Sequence, residues 1–337
     1  MSRVERVSCS NFIRQLLASR SDGAVVNFDK LTYAGNPKNL EEAANDSRYQ
    51  LVVGDIADAQ ALARVARQGF DAAINLAAET HVDRGIQDAT PFLRTNVLGT
   101  YCFLEVTREF QIPKIIHVST DEVYGSAPAG SSFTESSPLQ PTNAYAVSKA
   151  AADHLVTACS RTGGVHPIVL RSTNIFGPYQ FPEKLIPLSI ANALEEKSLP
   201  LYGDGLHERD WLYIDDFCRA LLLALNRAAP GSVYNLSTGN PMPNLEVLRS
   251  ILRSLAKPES LISHVQDRPG HDRRYSLDSS KIRRELGWQP NVSFTDGLQR
   301  TTSWYISHSA WLASARFGAY LNYYQRQYSS RSEALRN

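Results

Sequence analysis

No run of apolar residues in this 337-residue chain approaches the ~18 that a membrane-crossing helix requires, so no membrane partner is expected. The opening residues, MSRVERVSCS, lack the apolar stretch of a signal peptide. Charge of neither sign is in excess. The 35 Lys and Arg against 34 Asp and Glu leave +1, which argues against a nucleic-acid surface. Cysteine is scarce. Cys9, Cys102, Cys159 and Cys218 have no metal-ligand spacing, and they are expected as free thiols of a cytoplasmic protein. Repeats and low-complexity tracts are absent. Met1 to Cys9 also contains no glycine and no apolar run. What is present, 43% hydrophobic and 20% charged residues, is enough for one large α/β domain or two joined lobes.

Short apolar runs without alternation occur at 24–28 (AVVNF), 49–55 (YQLVVGD), 72–78 (AAINLAA), 114–120 (KIIHVST) and 166–171 (HPIVLR). Strands covered on both faces read this way. Helical stretches lie between them: the stripe Phe12, Ile13, Leu16, Leu17; the stripe Leu62, Val65, Ala66; and the longer segments 92–110 and 144–160. Strand and helix in alternation predict a doubly wound parallel sheet of the Rossmann type. Beyond about Arg171 prolines and glycines become frequent, which predicts a smaller lobe over a ligand cleft. Further helices are expected around 221–225 and 247–255.

Several motifs fall at strand ends, where ligands of such sheets bind. Tyr145 and Lys149 are four residues apart, on one face of a helix, and an ammonium beside a phenol favours the phenolate. A phenolate can serve as a base near neutral pH. Ser119, Thr120, Asp121 and Glu122 end the 114–120 strand and offer a donor and two carboxyls for acid and base work; one of the acids also reads as a loop cap. Asp29 ends the 24–28 run, where an acid commonly holds the ribose of NAD rather than NADP. Gly54, Asp55, Ile56 and Leu76, Ala77, Ala78 end the next two runs. The stretch 268–275 holds three arginines and His271. Guanidinium forks suit phosphate oxygens, although a solvated basic loop has the same composition. Arg209 is a second phosphate candidate.

Together these segments resemble the extended short-chain dehydrogenase/reductase family, in its NAD-dependent epimerase/dehydratase branch. The resemblance is carried by residues 28–40, 76–84, 119–125, 145–149, 174–187, 209–216 and 268–275, and runs from Ser10 to about Tyr328. The Thr-Asp-Glu triplet matches nucleotide-sugar dehydratases rather than epimerases, with dTDP-glucose as the expected substrate. The resemblance implies that Tyr145, assisted by Lys149, takes the 4-hydroxyl proton while hydride passes from C4 to NAD. Glu122 then removes the C5 proton, Asp121 donates to the departing 6-hydroxyl, and hydride returns to C6. Thr120 bonds near the 4-oxygen. It further implies nucleotide-sugar contacts from Thr80, Asn174, Glu183, Lys184, Arg209, Asn235, Arg268 and His271, and NAD contacts from Asp29, Lys30, Asp55, Ile56, Ala77, Thr95, Tyr145 and Lys149. A homodimer through helices 92–110 and 144–160 is expected. So are an NAD-binding domain over 1–171, a mainly nucleotide-sugar lobe over 172–330 with segments returning to the first, and a tail at 331–337.

The chain departs from this pattern at its start. Arg3, Arg6 and Cys9 occupy the family's three glycine positions, and the strand before them falls ahead of Met1. The glycines permit a tight turn, close approach to the pyrophosphate and helix–strand packing. Without that strand, its two neighbours are expected to face a gap. The abrupt change at Ser10 predicts a frameshift, a wrong junction or an N-terminal replacement. The competing readings are a dimeric nucleotide-sugar-binding homologue that lacks NAD, and a relative acting as a dehydratase or epimerase on UDP- or GDP-sugars.

Overall fold

The computed structural model describes residues 6–19, 23–33, 35–162, 164–316 and 324. Met1–Glu5, with Arg3, and the tail 331–337 lie outside the described residues. The chain opens with helix α1 (Arg6–Ser19), which takes in the turn 6–9 as well as the expected stripe. Five parallel-sheet strands follow: β1 (Val25–Asp29), β2 (Tyr49–Val53), β3 (Ala72–Asn75), β4 (Lys114–Thr120) and β5 (Ile168–Ser172). Between them lie α2 (Ala59–Ala66), α3 (Val82–Gln87), α4 (Thr90–Phe92), α5 (Gly99–Glu109) and α6 (Ala144–Thr162). A π-helical turn, Leu93–Leu98, joins α4 to α5, so the stretch expected as one helix is built in three pieces.

The strands form two parallel sheets. One pairs β1 with β2; the other runs β10–β5–β4–β3, with β10 (Val233–Leu236) returning from late in the chain to pair with β5. β6 (Asn174–Phe176), β7 (Leu199–Tyr202), β8 (Glu208–Arg209) and β9 (Trp211–Tyr213) lie outside them in small two-stranded pairings. The break falls between β1 and β3, where the expected gap lies: among the described residues neither strand has a partner on the side facing the other. A cavity of ≈ 90 Å³ lies there, lined by Val26 and Phe28 of β1, Ala72 and Ile74 of β3, and Ile56, Leu62 and Phe103. α1 joins the principal core through Val7, Phe12, Ile13 and Leu17, packed with Leu40, Ile74, Leu76 and Ile116.

Burial explains the local choices. β4 is buried from Ile115 to Thr120, which is why its sequence does not alternate. α2 starts where Asp58 accepts a hydrogen bond from the Ala61 amide at 3.0 Å. Later helices α7 (Leu185–Leu194) and α8 (Ile214–Arg227) complete the core, the latter burying Phe217, Cys218, Leu221 and Ala224. The four cysteines are free. Among the described residues no helix is long and apolar enough to cross a membrane.

Candidate active site

The strand β4 runs straight into a 3-10 turn, Asp121–Tyr124, so Thr120, Asp121 and Glu122 sit at its carboxyl end. Thr120 Oγ1 accepts from the Glu122 amide at 3.3 Å and donates to Asp121 Oδ1 at 3.1 Å. Gly125 ends the turn at φ 78; a side chain there would strike the Gln140 carbonyl. Asp121 is buried. Burial, reinforced by the neighbouring Glu122 charge, pushes its carboxyl up to about 7. One acid of the pair therefore holds its proton near neutral pH.

Two contacts fasten helix α6 to this corner. Lys149 Nζ donates to the Val118 carbonyl at 2.7 Å. Asn143, just before the helix, donates to Glu122 Oε2 at 3.4 Å while its Oδ1 accepts the Ala146 amide. The helix so fastened carries Tyr145 and Lys149, both buried, with Tyr145 edge-on to Phe92 at 6.4 Å between centroids. Burial pulls the Lys149 ammonium down to about 8, against the attraction of Asp153. Asp153 is itself clamped by Arg171 at 2.8 Å.

Glu122 also faces a cavity of ≈ 150 Å³ that gathers the candidate substrate residues: Thr80, Asn174, Glu183, Lys184, Arg209, Arg268 and His271 all line it. Lys184 Nζ donates to the Thr80 carbonyl at 3.0 Å, and Tyr33 donates to Glu183 at 3.0 Å. The Arg209 guanidinium lies 4.0 Å over the Tyr275 ring and donates to the Asp272 carbonyl. Buried polar atoms on this lining, Asn174 Oδ1, Asn244 Oδ1, Trp211 Nε1 and Arg268 Nε, have no hydrogen-bond partner among the described residues. Such a concentration of unmet polar atoms around one hollow is what a polar ligand resolves.

Asn235 stands apart. It is fully buried on β10, donates to Phe133 O at 3.0 Å and accepts from Tyr124 OH at 2.9 Å, so its amide anchors the 121–135 loop instead of lining the cavity. Sequence reasoning passed over Asn143, Trp211, Asn244 and Tyr275. Tyr275 lies 3.3 Å from Glu122 Oε2 and 2.9 Å from Asp272 Oδ2. Only its place in the arginine-rich stretch hinted at a role.

The cofactor candidates sit along the strand ends on the other side. Asp29 accepts the Leu31 amide at 2.6 Å. Lys30 pairs with Asp55 at 2.6 Å, and Arg94 approaches the same carboxylate at 3.4 Å. Ile56 and Ala77 share one buried cluster, Gly99 makes room for Ile56, and Thr95 is buried in the π turn. The diphosphate end is not built as the family builds it. Cys9, at the third glycine position, is inside α1 with its thiol 3.7 Å from Asn27 Oδ1, and Val7 and Ser8 are fully buried. The described part of the segment that the resemblance aligns with the glycine turn, Arg6–Cys9, is helical.

The family model described as GDP-mannose 4,6 dehydratase matches residues 9–301. The chain belongs to this family. Among curated relatives, the dTDP-glucose 4,6-dehydratase of Streptomyces niveus is 46% identical over 90% of each chain. The dTDP-glucose 4,6-dehydratase 1 of Escherichia coli K12 is 42% identical over 96% of each. The solved dTDP-glucose 4,6-dehydratase of Streptomyces venezuelae, which has NAD bound, superposes with a TM-score of 0.88 at 47% identity, covering 91% of this chain and 96% of that one. A Thermus thermophilus UDP-glucose 4-epimerase in complex with NAD superposes at 0.82 with 27% identity over 89% and 96%.

Proposed function

We propose that the chain converts dTDP-glucose to dTDP-4-keto-6-deoxyglucose, with NAD as its cofactor. The chemistry NAD supplies when bound is reversible acceptance of a hydride. The chain's own residues manage protons and position. Tyr145, as phenolate stabilised by the Lys149 ammonium, takes the proton from the sugar 4-hydroxyl, and Thr120 bonds the 4-oxygen. Oxidation at C4 acidifies the C5 hydrogen, which Glu122 removes. Asp121, protonated near neutrality, donates to the departing 6-oxygen. Arg209, Arg268 and His271 bind the diphosphate, Thr80, Asn174, Glu183 and Lys184 hold the remainder, and Asn235 keeps the catalytic loop in place. Asp29, Lys30, Asp55, Ile56, Ala77 and Thr95 face NAD.

The observation that supports this reading is the double fastening of α6 to the end of β4, through Lys149 to the Val118 carbonyl and Asn143 to Glu122, with Glu122 facing the cavity that Arg209, Arg268 and His271 line. Purified protein given dTDP-glucose and NAD should form a 4-keto-6-deoxy product; sugar-nucleotide binding with no turnover at saturating NAD overturns the proposal. The substitution of helix for glycine turn at Arg6–Cys9 favours a second reading, a nucleotide-sugar-binding homologue with a weakened hold on NAD. A homodimer is supported by apolar side chains exposed on the two long helical segments, Leu93, Leu98, Tyr101 and Val147.

A further inference from the structure

At one end of the cleft two imidazoles share a carboxylate. His271 Nδ1 lies 2.6 Å from Asp267 Oδ1, and His207 Nε2 lies 3.3 Å from Asp267 Oδ2. The two rings stack at 3.7 Å between centroids and 12° between planes. Two histidines and an aspartate have the composition of a transition-metal site. The stacking argues otherwise: a ring nitrogen's lone pair lies in its ring plane, and two planes that run nearly parallel 3.7 Å apart do not converge on one ion.

The arrangement instead fixes protons. An ionised carboxylate only accepts, so Asp267 takes the Nδ1–H of His271 and faces the Nε2–H of His207. His207 Nδ1 is buried and makes no hydrogen bond among the described residues, as befits a neutral ring whose proton is on Nε2. His271 is left with Nε2 as its free nitrogen, and its imidazole lines the cavity beside Arg209 and Arg268. Burial first, then the charges of Arg268 and Arg209, push this imidazole down to about 3, with Asp267 opposing. Nε2 therefore offers a lone pair to the cleft. Tyr202 stands edge-on to the ring, and the nearby Asp204 and Arg273 pair with each other. A diphosphate reverses this balance. Its oxygens neutralise the two guanidiniums and repel a bare lone pair, so a protonated Nε2 becomes a donor to them.

We propose that the nucleotide-sugar diphosphate binds together with one proton from solvent, placed on Nε2 of His271, and that His207 is the positioning residue that holds this imidazole against Asp267. The proposal rests on the nucleotide-sugar reading of the cleft. The proton moves from water or buffer to Nε2; no other bond changes. His207 supplies a neutral ring for the imidazolium to stack on and a second N–H that keeps the carboxylate in place.

The test is titration calorimetry of dTDP-glucose, whose diester diphosphate has no proton of its own to exchange near neutral pH, into the Tyr145→Phe protein, which does not turn over. Measured from pH 5.5 to 7.5 in two buffers of different ionisation enthalpy, binding should take up protons, more of them the lower the pH. Affinity should fall with rising pH. His271→Gln should abolish the uptake and flatten the pH dependence. In otherwise unmodified protein, His207→Leu should raise KM about tenfold with kcat unchanged and move the pH profile to lower pH, while His207→Phe, which keeps the stack, recovers part of the loss. Binding without proton uptake, or uptake unchanged in His271→Gln, overturns the proposal while leaving the cleft's assignment intact. No binding of dTDP-glucose overturns both. An unmoved pH profile in a folded His207→Leu protein removes His207 from the account.

Discussion

Asp121→Asn should make the protein more stable and less active, and the two effects have one cause. Asp121 is 3% exposed beside Glu122, and its carboxyl is pushed from an ordinary 3.8 up to about 7. The folded state therefore holds this proton more tightly than the unfolded chain does. The stability so gained is fully present below about 3.8 and is lost as pH rises through about 7. At about 1.4 kcal/mol per pH unit, the interval from 3.8 to 7 sets a ceiling of ~4 kcal/mol on the cost of carrying the acid at pH 8. Asparagine has the same shape, still accepts from Thr120, and cannot ionise. Thermal unfolding at pH 8 should rise by roughly 4–8 °C, taking about 2 °C for each kcal/mol in a chain of this size. At pH 4 the difference should vanish. Turnover should fall by on the order of 10²-fold or more, the usual loss when a general acid is removed. If Asp121→Asn melts at the unmodified temperature at pH 8, the buried-proton reasoning is wrong.

Other outcomes follow from the same geometry. Glu122→Gln should leave C4 oxidation intact and stall the next step, so that reduced cofactor accumulates with its near-ultraviolet absorbance; Tyr145→Phe should show no such signal. Asp153→Asn leaves Arg171 buried without its ion-pair partner and should cost about 3–5 kcal/mol in denaturant unfolding. Replacing Met1–Cys9 with an apolar strand and a G-x-x-G-x-x-G turn should close the sheet and raise NAD affinity by at least about tenfold, measured by calorimetry, since the backbone then approaches the diphosphate.

The elements that carry the candidate catalytic residues, β4 and α6, were legible because their signals are local. The run Lys114–Thr120, with Ile115, Ile116 and Val118 on no alternating pattern, was read with its observed bounds. Tyr145 and Lys149 need only helical spacing to share a face. The gap between β1 and β3 was also legible, since nothing in Met1–Cys9 reads as a strand buried on both faces. What was not legible depends on tertiary contacts. That Arg6–Cys9 extends the helix is decided by Val7, Ser8 and Cys9 finding buried places in the fold, although Arg6 and Ser8 are polar. The π turn at Leu93–Leu98 has no sequence mark. Asn143 and Tyr275 reach Glu122 from 21 and 153 residues away, and no spacing rule connects them. Asn235 was placed with the substrate residues by the family resemblance alone, and its amide is engaged by Phe133 and Tyr124.

Under the proposed function phenol, ammonium and two carboxyls act on one hexose. Its most direct test is the incubation of the unmodified chain with dTDP-glucose and saturating NAD in deuterium oxide, followed by NMR of the sugar. The account predicts a 4-keto-6-deoxy product with one deuterium at C5, where Glu122 exchanges the abstracted proton with solvent. Recovery of unchanged dTDP-glucose with hydrogen at C5, from folded protein that binds both molecules, would contradict it.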